Sequence, residues 1–162
     1  MALDKFELPP TIISQGDVSR LKRELEAVDN FIKQASLRQP GTPLKRLPKE
    51  SSGLTDFVDI NKLNLLIEKD RNEAIEFANE LVNKAPVVHI SFAADPSAAF
   101  VNKITNWFRQ NIDHLILVNV GLEPSIAVGC TVRTDNRFHD FSLRKQFESQ
   151  RSFLLSKLKQ SR

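Results

Sequence analysis

Few residues of this sequence could hold a metal ion: three histidines, His89, His114 and His139, and one cysteine, Cys130. Metal-binding histidines on a helix are typically four positions apart, and zinc sites commonly add clustered cysteines. None of the three histidines has such a neighbour, and each lies in or beside a segment with the pattern of a β-strand. The sequence therefore predicts ordinary strand and loop histidines, and it predicts no metal and no cofactor.

Cys130 and Asp95 are the residues that could act in catalysis. A cysteine nucleophile needs a base and partial exposure, whereas Cys130 falls in an alternating apolar run where a thiol acts as a small hydrophobe. Asp95 precedes Pro96, and this pair is typical of a helix start, with Asp95 as the N-cap. With five glycines and no phosphate-binding glycine loop, the sequence predicts a protein that is not an enzyme.

The N-terminal part of the chain has a helical pattern. Ser14 followed by Asp17 three positions later predicts a helix start with a capping box. Apolar residues then recur at alternating spacings of three and four, as in a short heptad seam: Val18, Leu21, Leu25, Val28, Ile32 and Ala35. Such a seam pairs with a helix of another subunit or packs within its own domain, and the sequence leaves both interpretations open. The proline-rich segment 40–53 predicts a linker or surface loop.

A second helical region is predicted from about Asp59 to Lys84, with Asp70 as an N-cap that divides it. After Pro86 the pattern changes. The run from Val87 to Ala94 predicts a central strand, and a helix and a second strand, Leu115 to Val120, follow it. The apolar positions of that helix, expected to be buried, are Phe100, Ile104, Trp107, Phe108 and Ile112. A strand, a helix and a strand in this order predict a parallel pair.

The last third of the chain predicts a hairpin and a terminal helix. Ile126, Val128, Cys130 and Val132 alternate onto one face of a strand, Asp135-Asn136 supplies a turn, and the segment 138–141 returns. Ser142 then caps a helix with one apolar stripe: Leu143, Phe147, Leu154 and Leu158. The predicted fold class is α+β, a helical N-terminal half followed by a compact β-α-β-β-β-α domain. The predicted boundaries are 1–53 (helix and linker), 54–85 (helical connector) and 86–162 (C-terminal domain).

Composition is that of a soluble protein, with 41% apolar and 27% charged residues. No apolar run approaches the roughly 18 residues of a spanning helix, and the N-terminus lacks the pattern of a secretion signal. A single cysteine favours a reducing compartment. Net charge is +3, but the segment 133–162 has eight basic and three acidic residues, a balance of +5. A basic end of this kind is typical of a solvated helix face, or of a surface that binds an acidic partner, nucleic acid or an anionic membrane.

The alternative function is therefore a small basic nucleic-acid-binding or adaptor protein. A nucleic-acid surface combines basic residues with exposed aromatic ones, or carries a known reader motif. The aromatic residues near the C-terminus fall at positions that a hairpin and an amphipathic helix are expected to bury: Phe138, Phe141, Phe147 and Phe153. No reader motif is present, so the sequence predicts no specific recognition of nucleic acid.

The order of motifs from about residue 62 onward resembles the delta subunit of bacterial F-type ATP synthases, the counterpart of the mitochondrial oligomycin-sensitivity-conferring protein. In that family a helix leads into a strand, and a later proline-led segment with two glycines and an arginine precedes a turn, an Asp-x-Ser step and a terminal helix. This chain has PSIAVGCTVR from Pro124 to Arg133, then Asp140 and Ser142. Gly129 stands where the family usually has two glycines.

The resemblance implies a non-catalytic peripheral-stalk (stator) subunit that supports ATP synthesis coupled to proton transport. Its implied protein partners are the synthase b subunit and the alpha subunits of the catalytic head. It implies a place in the bacterial cytoplasm, on the inner face of the plasma membrane, with membrane contact only through the complex. In the family a six-helix bundle binds the head, whereas this chain has room for two or three helices before residue 86. The candidate partner-binding residues are Leu143, Phe147, Leu154, Leu158, Val18, Leu21 and Leu25.

Overall fold

The computed structural model describes residues 5–37, 49–126, 128–134, 136–143, 148, 150, 151, 153 and 156. The chain forms two compact units. The first unit comprises Met1–Pro86 with Asn102–Leu117, and the second comprises Val87–Val101 with Val118–Arg162. Helices and a four-stranded mixed sheet are both present, so the α+β class is confirmed.

The first unit contains three helices from its N-terminal segment: α1 (Gln15–Ser36), α2 (Ser52–Ile60) and α3 (Glu68–Lys84). The predicted start of α1 is confirmed. Ser14 is the N-cap, its hydroxyl accepts a hydrogen bond from the Asp17 amide at 3.2 Å, and the Asp17 carboxylate accepts one from the Ser14 amide at 2.9 Å. This capping box satisfies N–H groups that have no partner within the helix.

The prediction of one helical region from Asp59 to Lys84, divided at Asp70, is wrong. The chain leaves α2 after Ile60, and Lys62 adopts a left-handed conformation with φ of 51°. The N-cap of α3 is Ile67, while the Asp70 carboxylate accepts a hydrogen bond from the Asn64 amide at 3.1 Å. At the other end of α2, its N-cap is Ser51, so the helix begins inside the segment predicted as a linker. The carboxylate of Asp70 therefore stabilises the loop before α3 rather than the first turn of a helix.

The core of the first unit is a cluster of three phenylalanines. Phe6, Phe57 and Phe77 are buried, with ring centroids 5.1 to 5.9 Å apart, and the Phe57 and Phe77 rings are stacked. Aromatic rings at these distances add to the free energy of burial. The N-terminal segment before α1 contributes Phe6, so it is an integral part of this core.

Two arginines of the first unit hold elements together. The Arg71 guanidinium donates to the Asp29 carboxylate at 3.0 Å and to the carbonyls of Leu65 and Leu66. It thus connects α3 to α1 and to the loop before α3. In helix α4 (Ala98–Asn111), the Arg109 guanidinium donates to the carbonyls of Pro9, Ile12 and Ile116. Burial lowers the pKa of Arg109 from its usual value.

The sheet has the strand order β2-β1-β3-β4, formed by β1 (Val87–Phe92), β2 (Leu117–Leu122), β3 (Cys130–Arg133) and β4 (Phe138–Asp140). Both β1–β3 and β3–β4 are antiparallel. The Leu117 amide donates to the Pro86 carbonyl, and the Glu123 amide donates to the Phe92 carbonyl. Residue numbers therefore increase in the same direction along both strands, so β1 and β2 run parallel. The predicted interior position of β1 and its parallel pairing with the next strand are confirmed.

Two sequence predictions for the segments around these strands are wrong. Pro124–Ile126 forms a 3₁₀ turn, and β3 begins only at Cys130, so Ile126 to Val132 is not one alternating strand. Helix α4 begins at Ala98, and the Ser97 hydroxyl, rather than Asp95, accepts a hydrogen bond from the first turn, at 3.3 Å from the Phe100 amide. In the first case a 3₁₀ turn interrupts the apolar alternation, and in the second a serine side chain takes the capping role that the Asp-Pro pair predicted for Asp95.

Candidate functional site

The sheet has two chemically different faces. The strand register places Ile90 opposite Val132 and Phe92 opposite Cys130, which makes one face apolar. The register places His89 opposite Arg133 and Ser91 opposite Thr131, which makes the other face polar. These are named the apolar face and the polar face. Because successive side chains of a strand point to opposite faces of the sheet, every second residue lies on the same face.

The polar face carries a row of three exposed side chains across β1, β3 and β4. His89 lies opposite Arg133, and Arg133 lies opposite Phe138, whose exposed fraction is 64%. Directly opposite residues have Cβ atoms about 4.5–5.5 Å apart. Among the described residues no ion pair involves Arg133. This stacking row (His89, Arg133 and Phe138) therefore presents an imidazole, a guanidinium and a phenyl ring side by side.

A second row on the polar face is small and polar. Ser91 lies opposite Thr131, and Thr131 lies opposite Asp140. The Asp140 carboxylate accepts a hydrogen bond from the Ser142 amide at 2.9 Å, which turns the chain after β4. A Cβ at Gly121 would lie 3.4 Å from the Ser91 hydroxyl, so β2 continues this row with a glycine. The hydroxyls of Ser91 and Thr131 thus lie beside the stacking row, where they can donate or accept hydrogen bonds.

The hairpin that supports the polar face depends on Gly129. Its φ is +103°, and a Cβ there would lie 2.5 Å from the Phe141 carbonyl oxygen and 2.9 Å from the Ser142 Cα. Backbone bonds on both sides of it join Phe141 to Cys130 and Leu143 to Val128. A side chain at position 129 would separate these segments, so the hairpin requires glycine there.

The expectation that the C-terminal phenylalanines are buried is wrong for the three that the structure describes. Phe138, Phe141 and Phe153 are all exposed, and Phe147 lies outside the described residues. The hairpin strand β4 is the edge of the sheet and has only three residues, so its side chains lack a neighbouring strand on one side. Phe141 stacks on His139, with centroids 6.0 Å apart.

Helix α4 also departs from expectation. Thr105 is its buried residue, whereas Phe100 and Trp107 of the helix and Ile112 just after it are exposed, the last two by 56% and 61%. Trp107 contacts Phe108 in an edge-to-face arrangement with centroids 5.4 Å apart. The apolar positions that the sequence predicts as the buried face of this helix are therefore largely open to solvent.

The candidate partner-binding residues fall into three groups. Val18, Leu21 and Leu25 are buried in the first unit, where α1 packs against α3, so this part of the seam belongs to the protein's own core. Leu143 is exposed just after the hairpin. Phe147, Leu154 and Leu158 lie outside the described residues. Among these described residues Leu143 is therefore accessible to a partner, whereas Val18, Leu21 and Leu25 are not.

The residues considered for chemistry remain apart. His89 lies on the polar face, His139 on β4, and His114 before β2, beside Asp113. Burial raises the pKa of the Cys130 thiol, which favours the protonated form. The described part of the chain contains no group of three or more histidine, cysteine or carboxylate residues that could hold a metal ion.

The stacking row could not be found from the sequence. His89, Arg133 and Phe138 are 44 and five positions apart along the chain, and only the strand register brings them together. The available signal was weaker: a histidine and an arginine interrupt runs of β-branched residues. Such interruptions indicate an exposed face but do not show which strands are neighbours.

Comparison of the chain with protein-family models and with curated proteins finds no match. Within the described residues, no helix has the length and apolar character needed to cross a membrane.

Proposed function

We propose that this chain is a non-catalytic peripheral-stalk subunit of a proton-translocating F-type ATP synthase, which links the b-subunit stalk to the catalytic head. The resemblance over residues 62–162 motivates this assignment. In this proposal residues 86–162 correspond to the family's compact β-α-β-β-β-α domain and follow a helical N-terminal half. The partners are the b subunit and the alpha subunits of the head.

The observation that carries the proposal is the exposed apolar side of α4. Ile104, Trp107 and Phe108 of the helix and Ile112 just after it follow one another at helical spacing, and Trp107 and Ile112 are more than half exposed. A surface helix normally turns such a stripe toward its own core. Exposed large apolar side chains that lie together favour a protein–protein contact. A subunit whose role is to hold two parts of a machine together needs contacts of this kind.

A second observation supports the resemblance itself. The proline-led motif of the family has two glycines before its arginine, and Gly129, the one glycine in the matching segment of this chain, is a position at which the hairpin leaves no room for a side chain. The glycine is thus explained by backbone geometry.

The direct test is co-purification from the organism's own membranes. We expect the full-length chain to purify with the b and alpha subunits of the synthase. Its absence from an otherwise intact complex would overturn the proposal.

A pair of variants tests the role of α4. Trp107→Glu places a charge on the exposed apolar side, and we expect it to reduce recovery with the b subunit at least tenfold. Gln110→Glu adds the same charge at an exposed polar position of the same helix and should leave recovery unchanged. Equal recovery of the two variants would remove α4 from the contact.

A further inference from the structure

We propose that the polar face of the sheet binds single-stranded nucleic acid without reading its sequence, and that bases stack on the row formed by His89, Arg133 and Phe138. This binding is an activity additional to the stalk role and does not depend on it.

The geometry of the stacking row is the first argument for nucleic-acid binding. Unstacked bases are commonly held on aromatic rings, including histidine, and on arginine guanidinium planes. The row contains one side chain of each kind, in neighbouring strands and on one face. All three are exposed, so a base could reach each of them without a change in the backbone.

The charge of the chain is the second argument for nucleic-acid binding. The segment 133–162 has a balance of +5, while the remaining 132 residues sum to −2. Arg133 and Arg137 are both exposed at the hairpin, on either side of its turn. A phosphate backbone that follows the row would therefore meet Arg133 and Arg137.

The contacts favour a single strand over a duplex and over an acidic protein segment. A duplex hides the planes of its bases, so Phe138 would have no role in binding it. An acidic helix would pair with Arg133 but would gain little from a row of three planar groups. The hydroxyls of Ser91 and Thr131, in the adjacent row, suit hydrogen bonds to bases or sugars and do not select one base.

The test uses the full-length chain and fluorescein-labelled 20-nucleotide oligo-uridine and oligo-deoxythymidine, with a 20-base-pair DNA duplex for comparison. Fluorescence anisotropy at 50 and 200 mM salt gives the dissociation constants. We expect single strands to bind at least tenfold more tightly than the duplex. We expect Phe138→Ala to weaken single-strand binding by about fivefold or more, and Arg133→Gln to weaken it and lower the salt slope by about one.

The matched control is Phe141→Ala. Phe141 is 63% exposed, against 64% for Phe138, but it lies with His139 on the opposite face. We expect this variant to bind like the wild type within twofold, and circular dichroism confirms that each variant is folded. Equal losses in Phe138→Ala and Phe141→Ala would overturn the proposal, as would duplex binding as tight as single-strand binding. Displacement of the oligonucleotide by polyglutamate at equal charge, with no effect of Phe138→Ala, would assign the surface to an acidic protein partner.

Discussion

The two compact units of this protein differ in where several of their phenylalanines lie. In the first unit Phe6, Phe57 and Phe77 are buried against one another, and a buried arginine connects the helices around them. In the second unit Phe138, on the short edge strand β4, and Phe141, just after it, are exposed. The second unit also buries a phenylalanine, Phe92, so the contrast is between the ring cluster of the first unit, which contributes stability, and the hairpin rings of the second, which contribute accessible surface. Substitutions at the two places are therefore expected to differ in their effect on stability.

The largest expected effect tests the buried side of this contrast. Phe77→Ala removes a fully buried ring that contacts both Phe6 and Phe57. We expect the free energy of unfolding, measured in urea by circular dichroism, to fall by about 3–5 kcal/mol. A loss below about 1 kcal/mol would show that the cluster is not the core of the first unit.

The second prediction concerns the backbone of the hairpin. Gly129→Ala places a Cβ 2.5 Å from a carbonyl oxygen at a left-handed position. We expect a loss of about 2 kcal/mol or more. Gly121→Ala is the control in the same unit, because its Cβ would meet only the Ser91 hydroxyl at an ordinary distance. If both variants lost equal stability, the close approach at Gly129 would not be the cause.

The third prediction is a pH dependence in the first unit. The hydrogen bond from Lys33 lowers the pKa of Asp29, burial opposes this effect, and the bond from Arg71 lowers the pKa further. A lowered pKa contributes stability that is fully present above the unfolded value of about 4 and is lost as the pH falls through the folded value. We expect the wild type to lose stability below about pH 4 and Asp29→Asn to lose less over the same range. Urea midpoints at pH 7, 5, 4 and 3 measure the difference, and identical pH profiles would contradict it.

The smallest expected effect tests the exposed side of the contrast. Phe141→Ala should change the free energy of unfolding by no more than about 0.5 kcal/mol, because the ring is mostly in solvent. The same urea titration measures it beside Phe77→Ala. A loss comparable to that of Phe77→Ala would mean that the two units do not differ in the way described.

The sequence predicted those features that depend on local chemistry. The Ser14–Asp17 capping box, the interior strand after Pro86 and its parallel partner are examples. The predictions from sequence failed where one apolar pattern can lead either to a buried helix face or to an exposed one. Four positions of the α1 seam are buried (Val18, Leu21, Leu25 and Val28), whereas Trp107 in the similar pattern of α4 is exposed, and no local property of Trp107 distinguishes these outcomes. The stacking row depends on strand register, which is a property of the whole sheet.

Arg109 has a consequence for how the chain is made. Its guanidinium binds the carbonyls of Pro9 and Ile12, which precede it by 100 and 97 positions. The first unit is also completed by residues from Asn102 to Leu117. During synthesis at about 5–20 residues per second, the N-terminal segment therefore waits roughly 5–20 seconds for this contact. A ribosome-bound chain ending before Arg109 is expected to expose the segment around Pro9, so the nascent protein passes through a protease-sensitive stage that ends when α4 emerges.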